Sequence, residues 1–285
     1  MKIGLVPVNV GVDNVESIIS FAKKAEEVGV ESLWTFEHVI VPENYESKYP
    51  YDASGKMSAT PETNFIDPLI ALTAIAAHTE TIRLATGVNI LPQANPLLLA
   101  KQAASLDFVS KGRFMLGIGI GWLREEFDAM GVPFERRGAR FDDYVLAMRA
   151  VWSGELADHK SDFLNWKGFK SYPLPSNLPI VIGGAKGKAF ARVAKYGDGY
   201  FAPAVGVDAV KDLIAQLKSA CEEEGRNIDE IEISTLWMGL AEGADSVAKY
   251  AEIGVSRLIV PLPLLGENPV EGMEKLVNEV AAKAS

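Results

Sequence analysis

Val109-Ser110-Lys111-Gly112-Arg113-Phe114-Met115-Leu116-Gly117-Ile118 ends a helical pattern, turns on a glycine and runs directly into an apolar segment. A glycine just past a helix adopts the left-handed conformation that closes it and swings the chain into the next element. The same junction recurs at Ala25-Glu26-Glu27-Val28-Gly29-Val30, at Ala194-Lys195-Tyr196-Gly197 and at Ala251-Glu252-Ile253-Gly254-Val255. Capping glycines serve any α/β protein. Equivalent helix-to-strand junctions along one chain mark a repeated unit.

Outward from these junctions, Val-, Ile- and Leu-rich runs at 3–8, 32–36, 82–88, 114–118, 180–183, 199–201, 231–237 and 258–261 alternate with helical patterns at 14–28, 68–78, 96–110, 140–152, 185–196, 207–224, 245–253 and 269–282. Near-continuous apolar strands separated by helices indicate a parallel sheet covered by helices. Eight such units in 285 residues predict a closed (β/α)8 TIM barrel rather than an open sheet. With no linker or low-complexity segment, residues 1–285 read as a single domain. Two stretches exceed a minimal barrel, and both are expected at the C-terminal face, where barrel sites are built. One, 39–64, follows strand two and is polar and aromatic. The other, 154–178, lies after strand four's helix, between helix four and strand five, and 163–169 within it reads as strand–turn–strand.

The formal net charge of −10 is spread along the chain and would repel phosphate backbones and anionic bilayers, which argues against nucleic-acid or membrane partners. Cys221 has no intrachain partner, and His38, His78 and His159 lack metal-ligand spacing, so no metal is expected. No basic segment followed by an apolar one precedes the first strand, and the most apolar helix is too short to cross a bilayer. A cytoplasmic location is expected.

The chemistry-bearing residues fall at strand ends. Glu37-His38 closes the second strand, where a histidine can donate a hydrogen bond or shuttle a proton, although a loop histidine reads the same. Strand three ends in Thr86-Gly87-Val88-Asn89, and its glycine suggests a bulge or a close backbone approach. Gly117, Gly119 and Gly121 alternate at the end of strand four, before Trp122, and would clear space for a ring or a phosphate. Ile182-Gly183-Gly184-Ala185-Lys186-Gly187-Lys188 leads into a helix, an arrangement suited to an anion. Arg136, Arg137 and Arg140 read as surface ion pairs with Glu135, Asp142 and Asp143. Trp34, Tyr45, Tyr49, Tyr51, Trp166 and Phe169 fit an apolar or ring-shaped substrate, or packing on one another.

The run from Leu106-Asp107-Phe108 through Gly117-Ile118-Gly119-Ile120-Gly121-Trp122-Leu123-Arg124-Glu125-Glu126-Phe127, continued by Gly131-Val132-Pro133-Phe134-Glu135-Arg136-Arg137-Gly138, resembles the signature of the bacterial luciferase-like superfamily. Leu91-Pro92, Asn95-Pro96, Lys101-Gln102 and Gly197-Asp198-Gly199 complete the likeness. The insert and Asp67-Pro68-Leu69 are most similar to the branch that uses coenzyme F420, a deazaflavin. The resemblance implies an oxidoreductase that passes a hydride between F420 and a small organic substrate. His38 would be catalytic and would sit with Glu37 beside the cofactor ring. Gly87, Val88 and Asn89 would support the ring through a non-prolyl cis peptide at Gly87–Val88. Ile120, Gly121 and Trp122 would line the channel, and Gly183, Gly184 and Ala185 would hold the tail phosphate. A homodimer and a separate flavin or deazaflavin reductase are implied partners. The alternatives are a two-component monooxygenase using reduced FMN and O2, and a non-catalytic flavin-binding barrel. Trp122 stands where sugar-phosphate dehydrogenases of the superfamily carry a glutamate, which argues against that substrate.

Overall fold

In a computed structural model, which describes residues 1–284, the apolar runs form β1 (Lys2–Val6), β2 (Ser32–Thr35), β3 (Arg83–Thr86), β4 (Asn89–Ile90), β5 (Phe114–Gly119), β8 (Ile180–Gly183), β9 (Gly199–Ala202), β10 (Glu232–Leu236) and β11 (Arg257–Pro261). Ser285, the last residue of the expected 1–285 unit, lies outside the described residues. The pairing β1–β2–β3–β5–β8–β9–β10–β11 returns to β1, every step parallel, so the sheet closes as an eight-stranded TIM barrel. The two-residue β4 continues the line of β3 against β5. Ala85 pairs with Met115 and Asn89 with Ile118, so four steps on one strand face three on the other. The third barrel strand therefore carries a one-residue bulge, and the Gly87–Val88 peptide within it is cis.

The helices are α1 (Val15–Glu27), α2 (Pro68–Ala76), α3 (Pro96–Val109), α4 (Arg124–Ala129), α5 (Arg137–Trp152), α6 (Ala189–Tyr196), α7 (Val207–Glu223), α8 (Ser246–Glu252) and α9 (Pro269–Ala284). Asn14, Asp67 and Asn95 cap α1, α2 and α3 by accepting from backbone N–H groups, and α2 and α3 open on proline. One core lies between strands and helices. Inside the barrel, Val6, Trp34, Ala85, Met115, Val181, Phe201 and Ile259 form a second cluster, so the interior is filled rather than hollow.

The N-terminal end of the barrel is closed by charge. The Arg257 side chain, wholly buried, donates through Nε and Nη2 to both oxygens of Glu31, each at 2.7 Å, and through Nη1 to Glu232 and to Ser234 Oγ. Lys2 Nζ reaches the other Glu232 oxygen, and the guanidinium lies 5.7 Å from the Trp34 ring centre.

Several expectations are corrected. Gly29, Gly112 and Gly254 take positive φ as predicted, but Gly197 is extended; a Cβ there would lie 3.0 Å from Val193 O, so close approach rather than handedness explains it. The helix expected from residue 140 starts at Arg137, and the one expected from Ala185 starts at Ala189. The six-residue α4 was not anticipated. The second insertion forms a hairpin of β6 (Ala157–Lys160) and β7 (Asn165–Phe169), in which 163–169 supplies the end of the turn and one strand rather than both. It follows α5, in keeping with its expected place between the fourth helix and the fifth strand, so the chain enters it from the N-terminal face and not from the C-terminal face expected for it. Its turn climbs the outside of the barrel to the start of α5, where Asp162 pairs with Arg136 at 2.7 Å and Phe163 lies under Arg136 and Arg140.

The alternating glycines also serve a different purpose from the one expected. A Cβ on Gly117 would sit 1.7 Å from Thr86 O, one on Gly119 2.6 Å from Val88 Cγ2, and one on Gly121 2.7 Å from Ile90 Cγ2. The three glycines make room for Thr86, Val88 and Ile90 of the neighbouring bulged strand. Gly117 tolerates nothing larger, because its obstacle is backbone, and Thr86 Oγ1 both accepts from Gly117 N and donates to Gly117 O. Gly117→Ala is expected to cost at least about 1–3 kcal/mol through overpacking. A melting temperature unchanged from the parent would refute that account of the seam.

Candidate functional site

The predicted site residues all lie at the C-terminal ends of barrel strands, on one rim. Glu37 and His38 follow β2, Gly87 to Asn89 lie at the bulge, Ile120 to Trp122 follow β5, and Gly183 to Ala185 end β8. Asn9 fixes the exit of the chain from β2: its side chain, wholly buried, donates to Phe36 O and Ile66 O and accepts from Phe36 N. The next two side chains are thereby held at the mouth.

His38 Nδ1 lies 3.0 Å from Glu126 Oε2. Glu126 Oε1 accepts from Val39 N at 2.6 Å and more weakly from Ile40 N at 3.4 Å. The Glu126 side chain is 2 % exposed and His38 11 %. An ionised carboxylate acts only as an acceptor, so it selects the tautomer with the proton on Nδ1 and leaves Nε2 as the working atom. Phe65 and Trp122 stand edge-on to the imidazole, at 5.5 and 6.1 Å between ring centres. They restrict its rotation.

Glu37 accepts from Asn89 Nδ2 at 2.5 Å and from Ile90 N. Burial outweighs these bonds, and with the nearby Glu126 and Asp67 carboxyls it pushes the Glu37 carboxyl up to about 7. Since that lies above its ordinary value of 4.5, the fold favours the protonated acid, and stability falls as pH rises from about 4.5 to about 7.

Glu37, His38, Gly121 and Trp122 line one small cavity together with Ile90, Gln93, Leu123, Glu126 and Phe127. Val88 joins this group to the β8 end, because a Cβ on Gly183 would lie 3.2 Å from Val88 Cγ1. Gly87 packs instead on Trp34 and Phe201. Gly184 and Ala185 stand apart from the cavity, beside α6, and Tyr200 donates to Gly184 O.

The first insertion reaches the same mouth. Tyr45 and Tyr49 pack edge-on against Trp122 at 5.7 and 5.2 Å, and Tyr51 against Tyr49. Trp34 belongs to the barrel interior, and Trp166 stacks on His159 and meets Phe169. These aromatics pack on one another. Glu125 fastens the insert by accepting from Glu46 N at 2.7 Å and Ser47 N at 3.1 Å. Burial opposes its charge, but hydrogen bonds from the Ser47 side chain and these amides prevail and hold the carboxyl at about 2. The anchor is intact above the ordinary carboxylate range and is lost only as pH falls toward 2. Glu125→Ala should speed proteolytic nicking of the segment about five-fold, as expected for ~1 kcal/mol of lost hydrogen bonding; an unchanged cleavage rate would show the insert is held by its aromatics alone.

The arginine cluster departs from the expected ion pairs. Arg136 pairs with Asp162, Arg137 donates to Gly121 O at 3.2 Å and lies over Phe134, and Arg140 donates to Pro92, Pro133 and Glu135 carbonyls. Two of the three therefore brace the loops of the mouth. Glu126 was missed as a site residue although it stands in the quoted motif. Its one sequence signal is an acidic pair, Glu125-Glu126, starting a short apolar-faced turn. Gln93 gave no signal.

Among the described residues there is no metal-holding group of His, Cys, Asp and Glu, and no helix is long and apolar enough to cross a membrane. The family model described as luciferase-like monooxygenase matches residues 5–249. The uncharacterized protein Rv0940c of Mycobacterium tuberculosis is 32% identical over 246 residues, covering 85% of this chain and 83% of that protein. Among solved structures, an F420-dependent secondary alcohol dehydrogenase in complex with an F420-acetone adduct superposes with a TM-score of 0.80 at 16% identity, covering 98% of each chain. Riboflavin lyase (RcaE), with modified FMN and riboflavin, superposes with a TM-score of 0.69 at 17% identity, over 88% of this chain and 66% of that one.

Proposed function

Because the chain belongs to the luciferase-like monooxygenase family, we propose that it is an oxidoreductase that binds coenzyme F420 at the C-terminal mouth of its barrel and acts on a small organic substrate. The observation that carries this reading is the His38–Glu126 pair, a tautomer-fixed histidine at the rim where the bulged strand ends.

The residues present fit a flavin-type ring. Val88, half-buried over Gly119 and Gly183, offers an apolar support. Asn89 Oδ1 is buried with no protein partner, an acceptor suited to a ring N–H or hydroxyl. Gly183, Gly184 and Ala185, with exposed Lys186 and Lys188 before an α6 that lacks a side-chain cap, would take an anionic tail. Glu37, Gly87, Ile120, Gly121 and Trp122 complete the proposed contacts. When bound, the deazaflavin supplies hydride chemistry. His38 presents Nε2 to the reacting centre and holds or delivers a proton there, while Glu126 keeps the imidazole oriented. Tyr45, Tyr49 and Trp122 exclude water.

A second reading, reduced FMN with O2, is favoured by the monooxygenase description of the family and by the FMN in the riboflavin lyase structure. The partners we propose are a separate reductase and a second copy of this chain. Exposed Ile70, Leu98 and Phe108 on the adjacent helices α2 and α3 support the dimer. Titrating the protein with each cofactor while following tryptophan fluorescence decides between the readings. Saturable quenching by F420 without FMN binding supports the first; FMN binding with reductase-dependent oxygen uptake replaces it with the second.

A further inference from the structure

Beneath His38, the cavity lined by Glu37, His38, Gln93 and Glu126 has a volume of about 30 Å³, room for one or two waters and nothing larger. Gln93 is 5 % exposed, and neither its Oε1 nor its Nε2 has a hydrogen-bond partner in the protein. A buried amide with both ends unpaired costs several kcal/mol unless something small and polar meets it. A water needs two to four polar partners. This cavity has an amide that both donates and accepts, with carboxyl groups from Glu37 and Glu126.

We propose that the cavity is a binding site for an internal water molecule, positioned by Gln93 between the Glu37 carboxyl and the Glu126 carboxylate, and that it couples proton loss from Glu37 to proton release by His38. The inference deepens the proposed function and rests on its assignment of His38. The transfer conserves atoms and charge. The Glu37 O–H bond breaks as its proton joins the water oxygen, one proton of that water passes to a Glu126 oxygen, and the water is restored. Glu37 is left as a carboxylate and Glu126 as a neutral acid. When His38 carries a proton on Nε2 as well as on Nδ1, loss of the Glu126 counter-charge releases the Nε2 proton at the mouth. One proton leaves the interior group and one reaches the substrate side, with no oxidation or reduction. The elevated Glu37 carboxyl supplies that proton near neutrality.

The charged groups facing this site are few. Glu126 comes from α4 and Asp67 from the start of α2, and both act on Glu37. Arg137 and Arg140 of α5 reach the carbonyls of Gly121 and Pro92 that flank it. Gln93 follows Pro92 directly, so Arg140 also fixes the loop that aims the amide.

Two measurements on the intact protein test this. A high-resolution crystal structure should show an ordered water within hydrogen-bond distance of Gln93, Glu37 and Glu126. NMR titration of ¹³C-labelled histidine, with the His38 signal assigned by its loss in His38→Asn, should show two inflections. One is the imidazole's own and the other follows Glu37, as for interacting charges at short range. Glu37→Gln and Gln93→Met should each leave a single step. A single-step wild-type curve, or a Gln93 amide satisfied by protein atoms, overturns the proposal even if a variant fails to fold. Neither readout requires cofactor or turnover. Failure here therefore leaves the F420 reading standing, and failure to bind cofactor leaves this test intact.

Discussion

His38→Asn is expected to lower kcat about 10²- to 10⁴-fold, the range for loss of a positioned general acid or base, with cofactor affinity little changed. The reason is placement. His38 is held by Asn9 through the backbone, by Glu126 at Nδ1 and by Phe65 and Trp122 at its edges, so its ordering is complete before substrate arrives. Glu126→Gln tests the same assembly without removing the ring. Its carbonyl oxygen can still accept from Val39 N, but its NH2 then faces Nδ1 and forces the opposite tautomer, with the proton on Nε2. Inverting a tautomer in this way costs up to about 10⁴-fold where the buried acid orients a catalytic base. A structural role for Glu126 would alter stability and leave the pH dependence of kcat in place; the positioning role moves that dependence. Turnover of His38→Asn within ten-fold of the parent would remove the histidine from the chemistry.

The barrel was legible because its signals are local and repeated. Apolar strands and post-helical glycines are each read within a few residues, and eight repetitions of strand and helix leave little room for another topology. Where a local rule had two physical causes, the reading chose the commoner one. Gly197 is a glycine of close approach, not of handedness. Gly117, Gly119 and Gly121 likewise looked like space cleared for a ligand, whereas they accommodate a neighbouring strand whose bulge is invisible in the fourth unit's own sequence. His38 and Glu37 could be placed at the barrel mouth because strand ends are predictable. Glu126 and Gln93 were not, because they meet His38 and Glu37 only after three segments converge, 88 residues apart in the case of His38 and Glu126. Long-range pairing of this kind carries no periodicity to detect.

Arg257→Met is expected to destabilise the fold by about 3–5 kcal/mol, the cost of removing one partner from a buried ion cluster. At roughly 2–3 °C per kcal/mol for a chain of this size, the melting temperature should fall by about 6–15 °C. Arg257 opens β11, Glu232 opens β10, Lys2 opens β1 and Glu31 precedes β2, so the guanidinium, with Lys2 joined through Glu232, ties four consecutive positions around the barrel base. Burial opposes ionisation of Glu31 and Glu232, but Arg257 overcomes it and holds both carboxyls below their ordinary values. Such depressed acids contribute stability that is present above about pH 4.5 and lost as pH falls through their folded values. In Arg257→Met the same carboxyls stay partly buried without their cation, and acid relieves them instead. The stability gap between parent and variant should therefore narrow as the pH drops from 7 toward 4. Adding Glu31→Gln and Glu232→Gln should restore part of the loss at neutral pH, because the unpaired charges, not the missing arginine volume, carry most of the cost. A gap that stays constant with pH, with no recovery in the triple variant, would mean that packing against Trp34, rather than charge, closes the base of the barrel.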